Sequence, residues 1–351
     1  MLRRSRRSTR DHRRSRVYAR DKLKTVTEHH RVAVIGAGPI GLELAVALKQ
    51  AGIEYVQLDA SSIGATMVWY PLEMLFHSSA DRLAIAGVPI QIPDQQKPKR
   101  EEYLAYLRAV AQQFSLDVRL YERVIDARRL LDGTFELQTN KNAYQVDNVV
   151  VAIGAMHAPR LLGIPGEDLP HVSHYFHEPH AYFGTRVLVV GGRNSAVEAA
   201  IRCQRAGANV TVSYRGPEID PSVKFWLLPE IRGMIRDGRV HFLPRTTPVE
   251  IRERSVVFDN GEEHPFDFVL LMTGYRQDPT LFEMLGVDLQ GEARKPRYDE
   301  STMETNVRGV FIAGTAISGS PEERVRVIVE DCHVHVPRIV EALKGSAPIE
   351  G

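Results

Sequence analysis

Apolar residues recur along this chain in one order, used twice: an unbroken apolar run, a glycine-rich turn, then a helical stripe. The run Val32-Ala33-Val34-Ile35 leads into Gly36-Ala37-Gly38-Pro39-Ile40-Gly41, and Leu42, Leu44, Ala45 and Leu48 then share one helical face. Gly52 stands where a helix C-cap is expected, and the next apolar run, Tyr55 to Leu58, ends in Asp59. The second copy has Val187 to Val190, the turn Gly191-Gly192-Arg193-Asn194-Ser195-Ala196, a helix through Val197, Ala200 and Ile201 to Gly207, and the strand Val210-Thr211-Val212 ending near Tyr214-Arg215. Short apolar runs of this kind read as strands buried on both faces, and the stripes as amphipathic helices. Two βαβ units of matched length predict an α/β protein with two Rossmann-like dinucleotide-binding domains.

Each copy continues into short strands with tight-turn dipeptides, Asp132-Gly133 in the first and Asn260-Gly261 in the second. Each closes on an apolar strand running into a glycine: Val149 to Gly154, then Leu270 to Gly274. A last strand, Gly309 to Gly314, and a helix expected from about Pro321 to Leu343 have no counterpart in the first copy. They are expected to return to the first domain, so that the second domain is inserted into it. The expected boundaries are 29–157 and 290–345 for the first domain and 158–289 for the second.

Charge adds one feature. The net charge of +1 hides eleven Arg or Lys against three acids within residues 1–28, while the remainder is mildly acidic. That arm has almost nothing apolar with which to build a core, so it is expected to be disordered. No apolar stretch follows its arginines, and it runs straight into the first strand of a complete fold. It therefore reads as a dispensable tail, not as a nucleic-acid anchor or an export signal. No apolar run approaches the length needed to span a bilayer. The two cysteines, Cys203 and Cys332, form no CxxC, which points to a reducing cytoplasmic setting.

The first loop carries the full GxGxxG: one glycine for the tight turn, one for close approach to a pyrophosphate, one for helix–strand packing. Gly36, Gly38, Pro39, Ile40 and Gly41 would cradle the phosphates of FAD at the helix N-terminus, and Asp59 would hold its ribose hydroxyls. In the second loop Arg193 replaces the close-approach glycine, and Arg215 stands where an acid would read a ribose hydroxyl. Gly191, Gly192, Arg193, Asn194, Ser195, Arg215 and Gly274 are thus expected to bind NADPH, with Arg215 suited to its 2′-phosphate. Two such sites imply hydride transfer from nicotinamide to flavin. Gly154, Gly314 and Thr315 would complete the FAD site, the last two directing backbone N–H groups at the flavin.

These residues resemble the pyridine-nucleotide-disulfide oxidoreductases in the compact arrangement of low-molecular-weight thioredoxin reductases. Within that superfamily, Trp69-Tyr70-Pro71, Phe76-His77-Ser78-Ser79, Gly192 to Ala200 and Pro221 to Trp226 look like the YpdA family of bacillithiol disulfide reductases. Glu330 and His335 near the C-terminus are similar too. The resemblance implies an FAD flavoprotein that passes electrons from NADPH to a disulfide or another external acceptor. Three departures matter. There is no CxxC, Ile40 occupies a place where that branch often has cysteine, and Thr315 replaces an aspartate common in the superfamily.

No catalytic side chain announces itself; His77 is a candidate proton donor to flavin, and Trp69 a candidate to pack on it. The histidines His171, His174, His177 and His180 read as a crossover loop, and no metal site is expected. The acceptor, a small molecule or a protein, stays open, as does homo-oligomer formation. Flavin monooxygenase, ferredoxin–NADP reductase and a non-enzymatic nucleotide sensor remain as alternatives.

Overall fold

The computed structural model describes residues 28–320 and 327–345. Apart from Glu28, the basic arm lies outside the described residues.

Each apolar run becomes a largely buried strand with at least one parallel partner. β1 (Glu28–Ile35) sits between β2 (Tyr55–Leu58) and β6 (Ala143–Val151), with Ile35 opposite Leu58 on one side and Val151 on the other. β3 (Val118–Arg119) extends the sheet beyond β2. On the other edge β4 (Val124–Arg129) and β5 (Phe135–Thr139) form an antiparallel hairpin turned at Gly133, whose φ of 92° suits glycine. The helix Pro39–Gln50 is clasped on both sides. Leu44 and Leu48 share a core with Ile339 and Leu343 of the last helix, while Leu42 and Val46 meet Tyr103, Leu107 and Val110 of the helix Arg100–Gln113.

A two-stranded ribbon carries the chain between domains. β7 (Ala158–Pro159) leads out; β8 (Val172–Ser173), β9 (Arg186–Val190), β10 (Asn209–Tyr214) and β11 (Val240–Pro244) follow. The hairpins of β12 (Pro248–Ile251), β13 (Ser255–Phe258) and β14 (Glu263–Pro265) precede β15 (Phe268–Leu271), and β16 (Tyr275–Arg276) pairs antiparallel with β7 on the way back. The second sheet is parallel throughout, in the order β11-β10-β9-β15-β8.

The return crossing lies at Tyr275–Arg276, earlier than the expected boundary at 289/290. Phe282, Leu285 and Val287 are buried with Phe311 and Leu343, so this stretch completes the first core and belongs to the first domain. The small hairpin of β17 (Leu289–Gln290) and β18 (Lys295–Pro296) then leads to β19 (Val310–Ile312), which pairs parallel with β6. Here β6 divides its partners along its length: residues 143–146 face β5, and 149–151 face β19. The final helix is also shorter than expected. It runs His335–Gly345 after a single 3-10 turn, Val329–Asp331, and residues 321–326 lie outside the described residues. Pro337 explains the start, because proline is tolerated only where the helix has no earlier carbonyl to bond.

Candidate functional site

The carboxyl ends of β1, β6 and β19 meet above the first glycine loop. Gly36 has φ 118°, and a Cβ there would lie 2.4 Å from the Ala152 carbonyl oxygen. A Cβ at Gly41 would lie 2.2 Å from the Gly36 oxygen, so the helix can reach the strand only through glycine. By contrast, nothing lies within 4 Å of a Cβ built on Gly38. The chain therefore closes tightly under the loop and leaves space over its middle glycine. The helix Pro39–Gln50 has no side-chain cap, which leaves first-turn N–H groups for an anion. A pyrophosphate fits this cradle, as FAD requires.

Asp59 is tied to the same loop. One carboxylate oxygen accepts the Ala37 N–H at 2.6 Å and the other the Ser61 N–H at 2.7 Å. Burial nevertheless raises its pKa, against these hydrogen bonds and the Arg123 charge. Gly154 (φ 79°) follows β6, and a Cβ on it would lie 3.6 Å from Thr315 Oγ1, while Gly314 packs on Ile40. Gly36, Ile40, Gly154, Gly314 and Thr315 thus come together. One expectation is corrected: the Gly314 N–H is not free for a flavin, because it donates to His335 Nδ1 at 3.1 Å. His335 is buried, and burial pushes its pKa down to about 4, which keeps the ring neutral and able to accept. Sequence reasoning missed Gln277 altogether. Its buried amide donates to the Gly154 oxygen at 2.9 Å and the Ala316 oxygen at 2.7 Å, stapling the two strand ends together. Its only signal was a polar residue directly after the second crossing.

The second loop repeats the first with substitutions. Gly191 has φ 136°, and a Cβ there would lie 2.6 Å from the Met272 oxygen. Gly192 is required for a different reason: a Cβ on it would meet the Tyr214 ring at 2.4 Å. Arg193 is the N-cap residue of the helix Asn194–Arg205, again with no side-chain cap, and its Nε donates to Asp220 at 3.1 Å. Asn194 Oδ1 accepts the Lys224 N–H at 2.8 Å, so this side chain holds a neighbouring loop. Arg215 follows β10 and is exposed, as is Ser195, while Gly274 has φ 96° beside Arg160. Gly191, Arg193, Arg215 and Gly274 therefore line the carboxyl ends of β9, β10 and β15, where a dinucleotide would lie.

Between the domains runs a seam of aromatic and cationic side chains. Trp69 meets Tyr175 edge-on at 5.7 Å, and Tyr175 lies 6.0 Å from Tyr275, whose hydroxyl is pushed up to about 12 by burial. Trp69 is thus a domain–domain contact. His77 stacks on Trp226 at 5.5 Å, so the structure turns the candidate proton donor toward the second domain. Lys97 Nζ lies over the same indole at 4.1 Å and donates to the His77 carbonyl. Lys224 Nζ donates to the Leu75 oxygen at 3.2 Å and Arg202 to the Leu72 oxygen at 2.7 Å, two grips from one domain on the other.

Neither cysteine is poised to react. Cys203 and Cys332 are buried and unpaired, and burial pushes both thiols up to about 12. Among the described residues, no cluster of His, Cys, Asp and Glu could hold a metal ion, and no helix is long and apolar enough to cross a membrane.

The fold and its loops have counterparts. The family model described as pyridine nucleotide-disulphide oxidoreductase matches residues 33–314. Bacilliredoxin reductase Bdr of Bacillus subtilis (strain 168) is 39% identical over 294 residues, covering 83% of this chain and 90% of the relative. The solved structure of bacillithiol disulfide reductase Bdr (YpdA) from Staphylococcus aureus superposes with a TM-score of 0.85 at 31% identity, covering 91% of this chain and all of that one. A ferredoxin–NADP reductase of Ignicoccus hospitalis is 30% identical over 294 residues, covering 80% of this chain and 88% of the relative.

Proposed function

Because this chain belongs to the pyridine nucleotide-disulphide oxidoreductase family, it is an oxidoreductase working with FAD and NAD(P)H, and we propose that it draws on NADPH to reduce a disulfide of the bacillithiol class. The observation that carries the reading is the pair of glycine loops in one chain, of which only the second bears arginines. FAD belongs at the first loop, on Gly36, Gly38, Pro39, Ile40, Gly41 and Asp59, with Gly154, Gly314 and Thr315 beside it. NADPH belongs at the second, on Gly191, Gly192, Arg193, Asn194, Ser195 and Gly274, with Arg215 for the 2′-phosphate.

When bound, the two cofactors supply the hydride chemistry, and the chain supplies binding, orientation and insulation. Gln277 and His335 fix the strand ends that support the FAD loop. Asp59 pins the loop and keeps carboxylate lone pairs for ribose hydroxyls. The ring contacts of Trp69 with Tyr175 and of His77 with Trp226 join the two domains that carry the loops. With both cysteines buried, electrons for a disulfide pass to the acceptor without a thiol of this chain. Two buried, unpaired cysteines also suit a reducing cytoplasm.

The test is anaerobic mixing of the FAD-loaded protein with NADPH, following bleaching of the flavin, then adding acceptors singly. Bleaching followed by recolouring with bacillithiol disulfide supports the reading; no bleaching overturns it. One second reading has an observation behind it. The absence of a reactive thiol, with the likeness to the Ignicoccus hospitalis protein, suits delivery of electrons to a ferredoxin-like carrier. Recolouring by ferredoxin and not by disulfides would decide for it.

A further inference from the structure

The second glycine loop is covered by a strap, residues 220–226, that is pinned to it at three points. The Asp220 N–H donates to the Gly192 oxygen at 3.1 Å, the Lys224 N–H to Asn194 Oδ1 at 2.8 Å, and the Asp220 carboxylate receives Arg193 Nε at 3.1 Å. The carboxylate is itself fixed: its other oxygen accepts the Ser222 N–H at 2.8 Å, and the Tyr214 hydroxyl reaches the Arg193-bearing oxygen at 3.5 Å. Asp220 is mostly buried, with 16% of its side chain exposed, whereas Arg193 is 44% exposed. The carboxylate is the anchored member of the pair and the guanidinium the presented one.

The first loop shows why Arg193 needs an anchor. Where Arg193 stands, the first loop has Gly38, over which nothing lies within 4 Å, and that space is what a pyrophosphate needs. A long flexible cation rooted there could fold across the same space. Asp220 takes only Nε, which holds the side chain to one wall and leaves both terminal nitrogens to donate elsewhere. We propose that Asp220 is a positioning residue for the coenzyme: it orders Arg193 at the rim of the second loop, so that the guanidinium meets a phosphate without filling the phosphate cradle. Ordering the side chain in advance removes a cost that binding would otherwise bear. This inference rests on the second loop being the NADPH site, and its test separates the two.

The experiment measures NADP⁺ binding by calorimetry on the FAD-loaded protein for Asp220→Ala, Asp220→Asn, Arg193→Ala, Arg215→Ala and the double variant of Asp220→Ala with Arg193→Ala. Asp220→Ala is expected to weaken binding about tenfold, and Asp220→Asn, whose single amide oxygen can accept from Arg193 Nε or from the Ser222 N–H but not both, to recover part of it. In the Arg193→Ala background Asp220→Ala should have no further effect on Kd. Unchanged or tighter binding in Asp220→Ala overturns the proposal. So does an equal loss in the Arg193→Ala background, which would make Asp220 a prop for the strap alone. If Arg193→Ala and Arg215→Ala both leave NADP⁺ binding intact, the placing of NADPH at this loop fails first.

Discussion

The two glycine loops share a backbone plan and differ in what lies over it. In the first, Gly41 lets the helix touch Gly36, the space above Gly38 is open, and an acid, Asp59, closes the second strand. In the second, Ala196 replaces the last glycine, Arg193 the middle one, and Tyr214-Arg215 stand where the acid would be. One loop is built by removing atoms, the other by adding cations. A carboxylate suits hydroxyls, whereas arginines suit phosphate, so on the proposed assignment one supersecondary unit would serve two cofactors by changing a few side chains around a fixed turn.

The sharpest way to break that comparison is to give the first loop the second loop's residue. Gly41→Ala would set a Cβ 2.2 Å from the Gly36 oxygen, a backbone atom that cannot step aside. We expect a loss of about 3 kcal/mol or more in urea unfolding, and protein that purifies without yellow colour. The reciprocal Ala196→Gly should cost only about 1 kcal/mol, as for glycine within a helix. Equal costs would mean that the loops are not packed differently.

The first site also carries a titratable lock with no partner in the second. His335 accepts the Gly314 N–H only while neutral, and its folded pKa is pushed down to about 4. An unfolded histidine titrates near about 6.5. Between those values the unfolded chain holds the extra proton, so stability is full above about 6.5 and falls as the pH drops toward about 4, by at most about 3 kcal/mol. His335→Gln, which keeps an acceptor and cannot charge, should flatten that acid loss. Identical pH profiles for the two proteins, measured by urea unfolding at pH 7 and pH 5, would show that His335 is not the group responsible.

Asp59 and Arg215 test the chemical half of the comparison. Asp59→Ala strips the acceptor from the Ala37 and Ser61 N–H groups, so about 2 kcal/mol of stability and much of the FAD occupancy should go, with NADP⁺ affinity retained. Arg215→Ala should do the opposite: FAD content unchanged, Kd for NADP⁺ raised about tenfold, and preference over NAD⁺ reduced accordingly. Were Asp59→Ala to impair NADP⁺ and spare FAD, the loops would have exchanged roles.

What the sequence revealed depended on whether local chemistry or distant packing decides. Both loops, both helices, the Asp132-Gly133 and Asn260-Gly261 turns and the final strand were legible, because glycine turns and apolar runs are dictated within a few residues. The second crossing was misplaced because Phe282 and Leu285 look alike in either domain's core, and only the fold shows which core they fill. Pro337 was overlooked inside an apolar stripe, so the last helix was drawn too long. His77 and Trp69 were read only as candidates to meet a flavin, and their ring contacts with Trp226 and Tyr175, partners more than a hundred residues away in sequence, were not legible. Gln277, Asp220 and the grips of Lys224 and Arg202 were invisible for the same reason, since a polar residue in a loop declares no partner.

The cysteines give the mildest test, and it bears on both halves of the molecule. Cys203 lies in the second domain's glycine-loop helix and Cys332 beside the first domain's last helix, each buried with its thiol pushed up to about 12. Cys332 is further committed, its thiol donating to the Ile328 oxygen at 3.2 Å. A thiol held protonated attacks disulfides slowly, so neither domain should supply a thiol relay. Cys203→Ala and Cys332→Ala should each cost about 1 kcal/mol of stability and leave acceptor reduction within about twofold of the parent. Iodoacetamide should likewise leave the native protein active. If one alanine variant still bleached with NADPH but no longer passed electrons to a disulfide, that cysteine would be the relay, and the description of two loops with no thiol between them would have to be replaced.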